Sequence, residues 1–234
     1  MRFLTVVPWG RWDDTQPEDL GCAAMLFPWV GALLGLAVAG ARQGILALGG
    51  SPALAAALAL TLWVLLTGGL HLDGLMDAAD GLLGGTTAAQ RLEIMRDERV
   101  GAFGALAAML VLLVKYVALQ TAPLPAVVYA PVLGRWTLTV AMAAFPYARP
   151  QGLGRMWFTQ VGWKTAGVAS LTVAWMAWAL AWPGAWLVWG SAALLAWLLA
   201  LWALRRVPGL TGDLYGALAE LTETVALVLS IWAP

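Results

Sequence analysis

Apolar runs of about twenty residues recur from one end of this chain to the other, and they leave few ways to fold it. A run of roughly 17–25 such residues is the length needed to cross the hydrocarbon core of a bilayer as a helix. Seven fit: Gly21–Ala41, Pro52–Leu70, Val100–Leu119, Leu124–Phe145, Thr165–Trp182, Ala185–Leu204 and Leu214–Trp232. The last is the weakest, because it carries Glu220 and Glu223. Hydrophobic residues make up 62% of the 234 and charged residues only 11%. Soluble domains run near 25% charged, so one small globule cannot bury this much apolar matter. In lipid the backbone must satisfy itself, which favours helices. The expected fold is all-α: a polytopic transmembrane bundle of about seven spanning helices, forming one membrane domain over residues 1–234. No internal repeat or low-complexity linker divides it.

Charge is scarce and clustered. Lys+Arg and Asp+Glu are 13 each, so net charge points to no partner, and nucleic acid is not expected as one. With the N-terminus in the cytoplasm, Arg2, Arg11, Arg91, Arg96, Arg99, Arg149, Arg155, Lys164, Arg205 and Arg206 all fall in cytoplasmic segments. Only Arg42 falls outside, which is the asymmetry that sets membrane orientation. The start, MRFLTVVPWGRWDD, is too short and too interrupted by Pro8 and charges for a cleavable signal. Asp13, Asp14, Glu18, Asp19, Asp73, Asp77, Asp80, Glu93, Asp97, Glu98 and Asp213 gather on the same face. The sidedness rule does not require that, so another cause is needed. The lone Cys22 excludes an intrachain disulfide.

The sharpest constellation is HLDGLMDAADG, residues 71–81. Asp73, Asp77 and Asp80 stand at i, i+4 and i+7, on one face of a helix. Carboxylates stacked this way repel unless a cation lies between them. Mg²⁺, held through one or two carboxylates, waters and substrate phosphates, suits them. The competing view is a solvated helix end. His71, the only histidine, is either structural or a base or ligand beside that metal. A second block, RLEIMRDERVGAFG over 91–104, alternates in sign. It is either a salt-bridged surface helix or a set of arginines for phosphate oxygens. Gly101 and Gly104 would give room at the next helix N-terminus, which favours anions. In the third block, Thr211 to Glu223, a loop with Asp213 enters a helix bearing Glu220 and Glu223. Intramembrane carboxylates are functional by default, unless Lys115 or Arg135 neutralises them. Those two cations carry the same pair of readings. The stretch Gly152–Trp163 is either a plain connector or a substrate loop containing Gly152, Gly154 and Arg155.

These blocks together resemble the cobalamin synthase family, the adenosylcobinamide-GDP ribazoletransferases. The likeness runs from Phe3-Leu4-Thr5 and Phe27-Pro28-Trp29-Val30-Gly31 through Gly69–Gly74, Asp77 and Asp80-Gly81. It continues through Glu93–Asp97, Arg99–Gly104 and Thr211–Asp213 to Gly216-Ala217 and Glu220. Position 98 is Glu where a small polar residue is expected. The resemblance implies a Mg²⁺-dependent enzyme of the bacterial or archaeal inner membrane that completes adenosylcobalamin. Its substrates would be adenosylcobinamide-GDP and α-ribazole or α-ribazole 5′-phosphate, and one product GMP.

On that footing Asp73, Asp77 and Asp80 are the expected metal ligands. The expected catalytic groups are Asp77, Asp80 and His71. Arg96, Asp97, Arg99, Arg135, Asp213, Glu220 and Glu223 are the expected substrate-binding groups. A CDP-alcohol- or prenyl-type transferase would use similar acidic helices, and a transporter could line a pathway with the intramembrane charges. Transporters commonly show repeated halves, which this sequence does not. Oligomeric state is left open.

Overall fold

Serine and threonine start several of the helices. Ser51 accepts the N–H of Leu54, Thr87 that of Gln90, and Thr211 that of Leu214, each satisfying a donor orphaned at a helix start. The computed structural model describes residues 4–6, 17–149, 155 and 159–233; Phe3, Asp13, Asp14, Gly152 and Gly154 lie outside the described residues. The helices are α1 (Pro17–Met25), α2 (Phe27–Ala47), α3 (Pro52–Thr67), α4 (Leu70–Ala79), α5 (Ala88–Ile94), α6 (Ala102–Thr121), α7 (Leu124–Ala144), α8 (Trp163–Ala179), α9 (Gly184–Leu204) and α10 (Gly212–Ser230). A π-helical turn, Asp80–Gly84, continues α4. Among the described residues there is no strand, so the all-α expectation holds.

Of the seven expected spans, α2, α6, α7 and α9 are long and apolar enough to cross a membrane. Two of the others fall short for physical reasons. Helix α8 has 17 residues, and α10 carries Asp213, Glu220 and Glu223. The expected Pro52–Leu70 span needs correction, because α3 stops at Thr67 after 16 residues. Gly68 and Gly69 then both take left-handed conformations (φ 62° and 70°), which cost glycine little. The chain turns by 88° into α4 and its π-helical turn, and the bent pair together is apolar enough for a fifth crossing or a re-entrant segment.

Helix α7 is the axis. It packs against α2 on one side and α10 on another and is buried along most of its length. Where it meets α2 the backbones nearly touch. A Cβ on Gly35 would collide with the Val128 carbonyl oxygen, and one on Gly31 with that of Pro131. Small residues at such contacts let helices approach where lipid supplies no hydrophobic drive. The rim is apolar and outward: Leu106, Met109, Leu110, Leu113 and Val117 of α6 are all exposed.

A buried ion cluster lies inside. Lys115 on α6 reaches Glu220 (2.5 Å) and Glu223 (2.6 Å) on α10, and Arg135 on α7 donates to the other oxygen of Glu223. Lys115 also sits 4.5 Å from the Trp63 ring centroid on α3. Four helices thus meet at two cations and two carboxylates, so the intramembrane acids are neutralised by Lys115 and Arg135. Gly134 makes room, since a Cβ there would come within 2.6 Å of Glu223 Oε1.

At the C-terminal end of α6, little more than a turn beyond Lys115, Arg42 donates to the Gln120 carbonyl (3.2 Å). This one basic residue expected outside therefore has a partner at its own end of the bundle.

The α2–α7 contact makes a sharp prediction. Gly35→Ala forces backbone apart and destabilises the detergent-solubilised protein by about 1–3 kcal/mol. Gly40→Ala on the same helix meets nothing within 4 Å and leaves the melting temperature unchanged or slightly raised. Thermal unfolding of the two variants side by side checks this.

Candidate active site

The acidic helix ends in a docking contact. Asp80 Oδ2 accepts the N–H of Gly101 (2.8 Å) and Oδ1 that of Gly104 (2.9 Å). A carboxylate there satisfies two orphan donors at the start of α6 and sits at the positive end of its dipole. A side chain at either glycine would strike that carboxylate, so the glycines of the second block admit it. Asp80 thus spends both oxygens holding α4 to α6. The π-helical turn begins at this residue, while Asp73 and Asp77 lie on α4 proper.

Asp73 is exposed and lines an open cleft of about 550 Å³, formed with Thr5, Thr67, Gly68, Gly69 and Met76. Asp77 is half-buried one turn on. The charges of Asp73, Asp213 and Asp80 all bear on it, opposed by Arg149. Asp213 arrives in the first turn of α10, which lies close against α4: a Cβ on Gly74 would sit 3.0 Å from the Asp213 carbonyl. Burial pushes the Asp213 carboxyl above its ordinary range, while Arg149 and the Thr211 hydroxyl pull it back.

Arg149 is the group that sequence reasoning missed. Its Nη2 donates to Asp213 Oδ2 (2.7 Å) and to the Met95 carbonyl (3.3 Å), and its Nε is buried without a partner. Nothing local sets it apart from the other cytoplasmic arginines. What places it is a pair of backbone bonds tying the segment after α7 to the segment before α10: Ala148 N–H to Leu210 O (2.8 Å) and Leu210 N–H to Pro146 O (2.7 Å). The same junction lays Tyr147 against Tyr215, ring centroids 6.2 Å apart and nearly parallel.

The remaining candidates separate. Asp97 and Arg99 are engaged with each other, through Arg99 Nη2 (2.6 Å) and Nε (3.0 Å), and the guanidinium holds the Asp97 carboxyl down at about 2. Arg99, Asp97 and Asp80 line a second open cleft, of about 430 Å³. Arg96 is exposed, and its charge reaches Tyr147. His71 is buried between α4 and α10 under the charges of Arg135 and Lys115, with Nδ1 lacking a partner. It does not line the Asp73 cleft. Arg135, Glu220 and Glu223 are committed to that cluster. Among the described residues, no three His, Cys, Asp or Glu side chains stand as a ready-made metal cage.

Known proteins agree with one another about this chain. A relative from Desulfitobacterium hafniense (strain Y51), named adenosylcobinamide-GDP ribazoletransferase, is 40% identical over 97% of this chain and 93% of its own length. Relatives of the same name from Desulforamulus reducens and Pseudomonas aeruginosa (strain UCBPP-PA14) are 38% and 39% identical, again over 97% of this chain. They cover 92% and 94% of their own lengths. No solved structure matches. Residues 1–231 match the family described as cobalamin-5-phosphate synthase, and the chain belongs to that family.

Proposed function

We propose that this chain is a transferase completing cobalamin. It would pass the adenosylcobinamide phosphate moiety of adenosylcobinamide-GDP to a free ribose hydroxyl of α-ribazole, or of α-ribazole 5′-phosphate, whose 5′ oxygen is already esterified. The acceptor oxygen attacks the phosphorus bonded to cobinamide. A new P–O bond forms, the bond to the bridging oxygen of the diphosphate breaks, and GMP departs with that oxygen. The observation that carries this reading is the Arg149–Asp213 ion pair within reach of the charge of Asp77, next to Asp73 lining an open cleft, at one end of an apolar bundle.

Each group has a task that fits its surroundings. Crowded by like charge, Asp77 and Asp73 favour a cation, and their hard oxygens suit Mg²⁺. That ion needs only one or two carboxylates when waters and substrate phosphates complete its shell, so a full protein cage is not required. Bound there, Mg²⁺ would neutralise charge developing on the departing phosphate. Asp80, fixed on α6, sets the position of α4. Arg149, steadied by Asp213, offers its guanidinium edge to phosphate oxygens, and Arg96 adds charge from the rim. The carboxylate cluster, more open than buried His71, takes the hydroxyl proton. The basic residues of the loops lie at the same end as these acids, and the positive-inside rule then turns the site to the cytoplasm of a bacterial or archaeal inner membrane.

Detergent-purified protein given adenosylcobinamide-GDP and α-ribazole should release GMP and form a new cobalamin only when Mg²⁺ is present. Asp77→Asn should lower that turnover about 100-fold or more while keeping the wild-type melting profile. Folded wild-type protein that yields no GMP with either acceptor would overturn the proposal.

Arg149→Lys keeps the charge and loses the planar fork. The KM for adenosylcobinamide-GDP should rise about tenfold or more, with the KM for α-ribazole little changed. Equal change in both constants would remove Arg149 from the donor phosphate.

A further inference from the structure

A separate cleft lies on the lipid-facing flank of α4, away from the acids. Its volume is about 220 Å³, and all of its lining side chains are Leu, Ala or Trp. Leu75, Leu82 and Leu83 form one wall, Leu199 and Trp202 the other, and Leu218 the floor. Leu83 is 53% exposed, so the cleft opens outward between the π-helical turn and α9. Nothing in the reaction uses it.

The mouth of this cleft is basic. The Arg206 guanidinium lies 4.0 Å over the ring of Trp202, which lines the cleft. Arg205, next along the chain, is exposed. Arg91 reaches across from α5 and donates to the Arg206 carbonyl (3.5 Å), with its Nε buried and without a partner. Among the described residues, none of these three arginines has a carboxylate within 4.0 Å. A wholly apolar slot beside a membrane-length helix, capped by guanidinium groups without carboxylate partners where that helix ends, has the head-and-tail pattern of one molecule class.

We propose that this cleft binds one anionic phospholipid, with an acyl chain between α4 and α9 and the phosphate at Arg205 and Arg206. The charge complementarity at the mouth selects this occupant over a second copy of the chain, whose apolar face would leave three cations unpaired. The lipid would brace the back of the helix whose other face carries Asp73 and Asp77. This proposal rests on the membrane reading of the bundle and is independent of the substrate assignment.

Native mass spectrometry of the full chain in mild detergent tests it, with phosphatidylglycerol and phosphatidylcholine offered at equal concentration. One phosphatidylglycerol per chain should be retained in preference to phosphatidylcholine. Replacing Arg205 and Arg206 by Gln should reduce that preference by about fivefold per arginine. Leu83→Trp, which fills the exposed mouth, should displace the lipid from a protein that melts normally. Equal retention of the two lipids by wild-type protein would overturn the proposal. So would a dimer that forms disulfides through Leu83→Cys across this face, because a second copy would then cover the cleft.

Discussion

Lys115 placed between Glu220 and Glu223 is the contact on which the arrangement of helices depends. Charges at this depth are costly singly and tolerable only when paired. Two cations from α6 and α7 meet two carboxylates from α10, with the Trp63 face of α3 behind Lys115. The four helices therefore have little freedom to slide, because any shift of one turn would strand a charge in an apolar interior. Apolar packing alone would tolerate several registers here, since Leu and Ala rows are interchangeable. The ion cluster distinguishes them.

The chemistry-bearing end inherits that register. Helix α10 begins with Asp213 and passes Gly216 against the His71 backbone before reaching Glu220, so fixing Glu220 and Glu223 fixes Asp213. Helix α6 begins where Gly101 and Gly104 receive Asp80 and bears Lys115 further along. The acidic helix is thus held at both ends: its start lies under α10 near the ion cluster, and its end is seated on α6. Between those anchors Asp73 is left lining an open cleft and Asp77 half-buried beside it, with Arg149 held on Asp213 from the segment after α7. This separation of anchoring from reacting carboxylates lets one short helix hold several like charges.

Much of this was legible in the sequence, for identifiable reasons. Apolar run length gave the helical bundle, and the gaps between expected spans at residues 120–123 and 183–184 fell close to where helices end. The charge bias separated one basic end from the other. The i, i+4, i+7 spacing marked Asp73, Asp77 and Asp80 but overstated their equivalence. Spacing along one helix says nothing of what stands opposite, and the N-terminus of α6 takes Asp80 for itself. The right-angle turn at Gly68-Gly69 was invisible for a related reason. A glycine pair permits continuation as well as a bend, and only packing decides. Arg149 was hidden because its place comes from two backbone hydrogen bonds between segments more than sixty residues apart, and no local pattern encodes that meeting. Lys115 and Arg135 were recognisable as unusual, but whether they served substrate or structure depended on what α10 offered them.

A double-mutant cycle between Lys115 and Glu220, read as unfolding free energy in detergent, tests the central role of the buried cluster most directly. Lys115→Met alone leaves two carboxylates facing one guanidinium and should cost about 3–5 kcal/mol. Combining it with Glu220→Gln restores charge balance. The double variant should then be more stable than the two single losses summed, by a coupling of about 1–3 kcal/mol. Additivity within about 0.5 kcal/mol would show that the two charges do not depend on each other and would contradict the account.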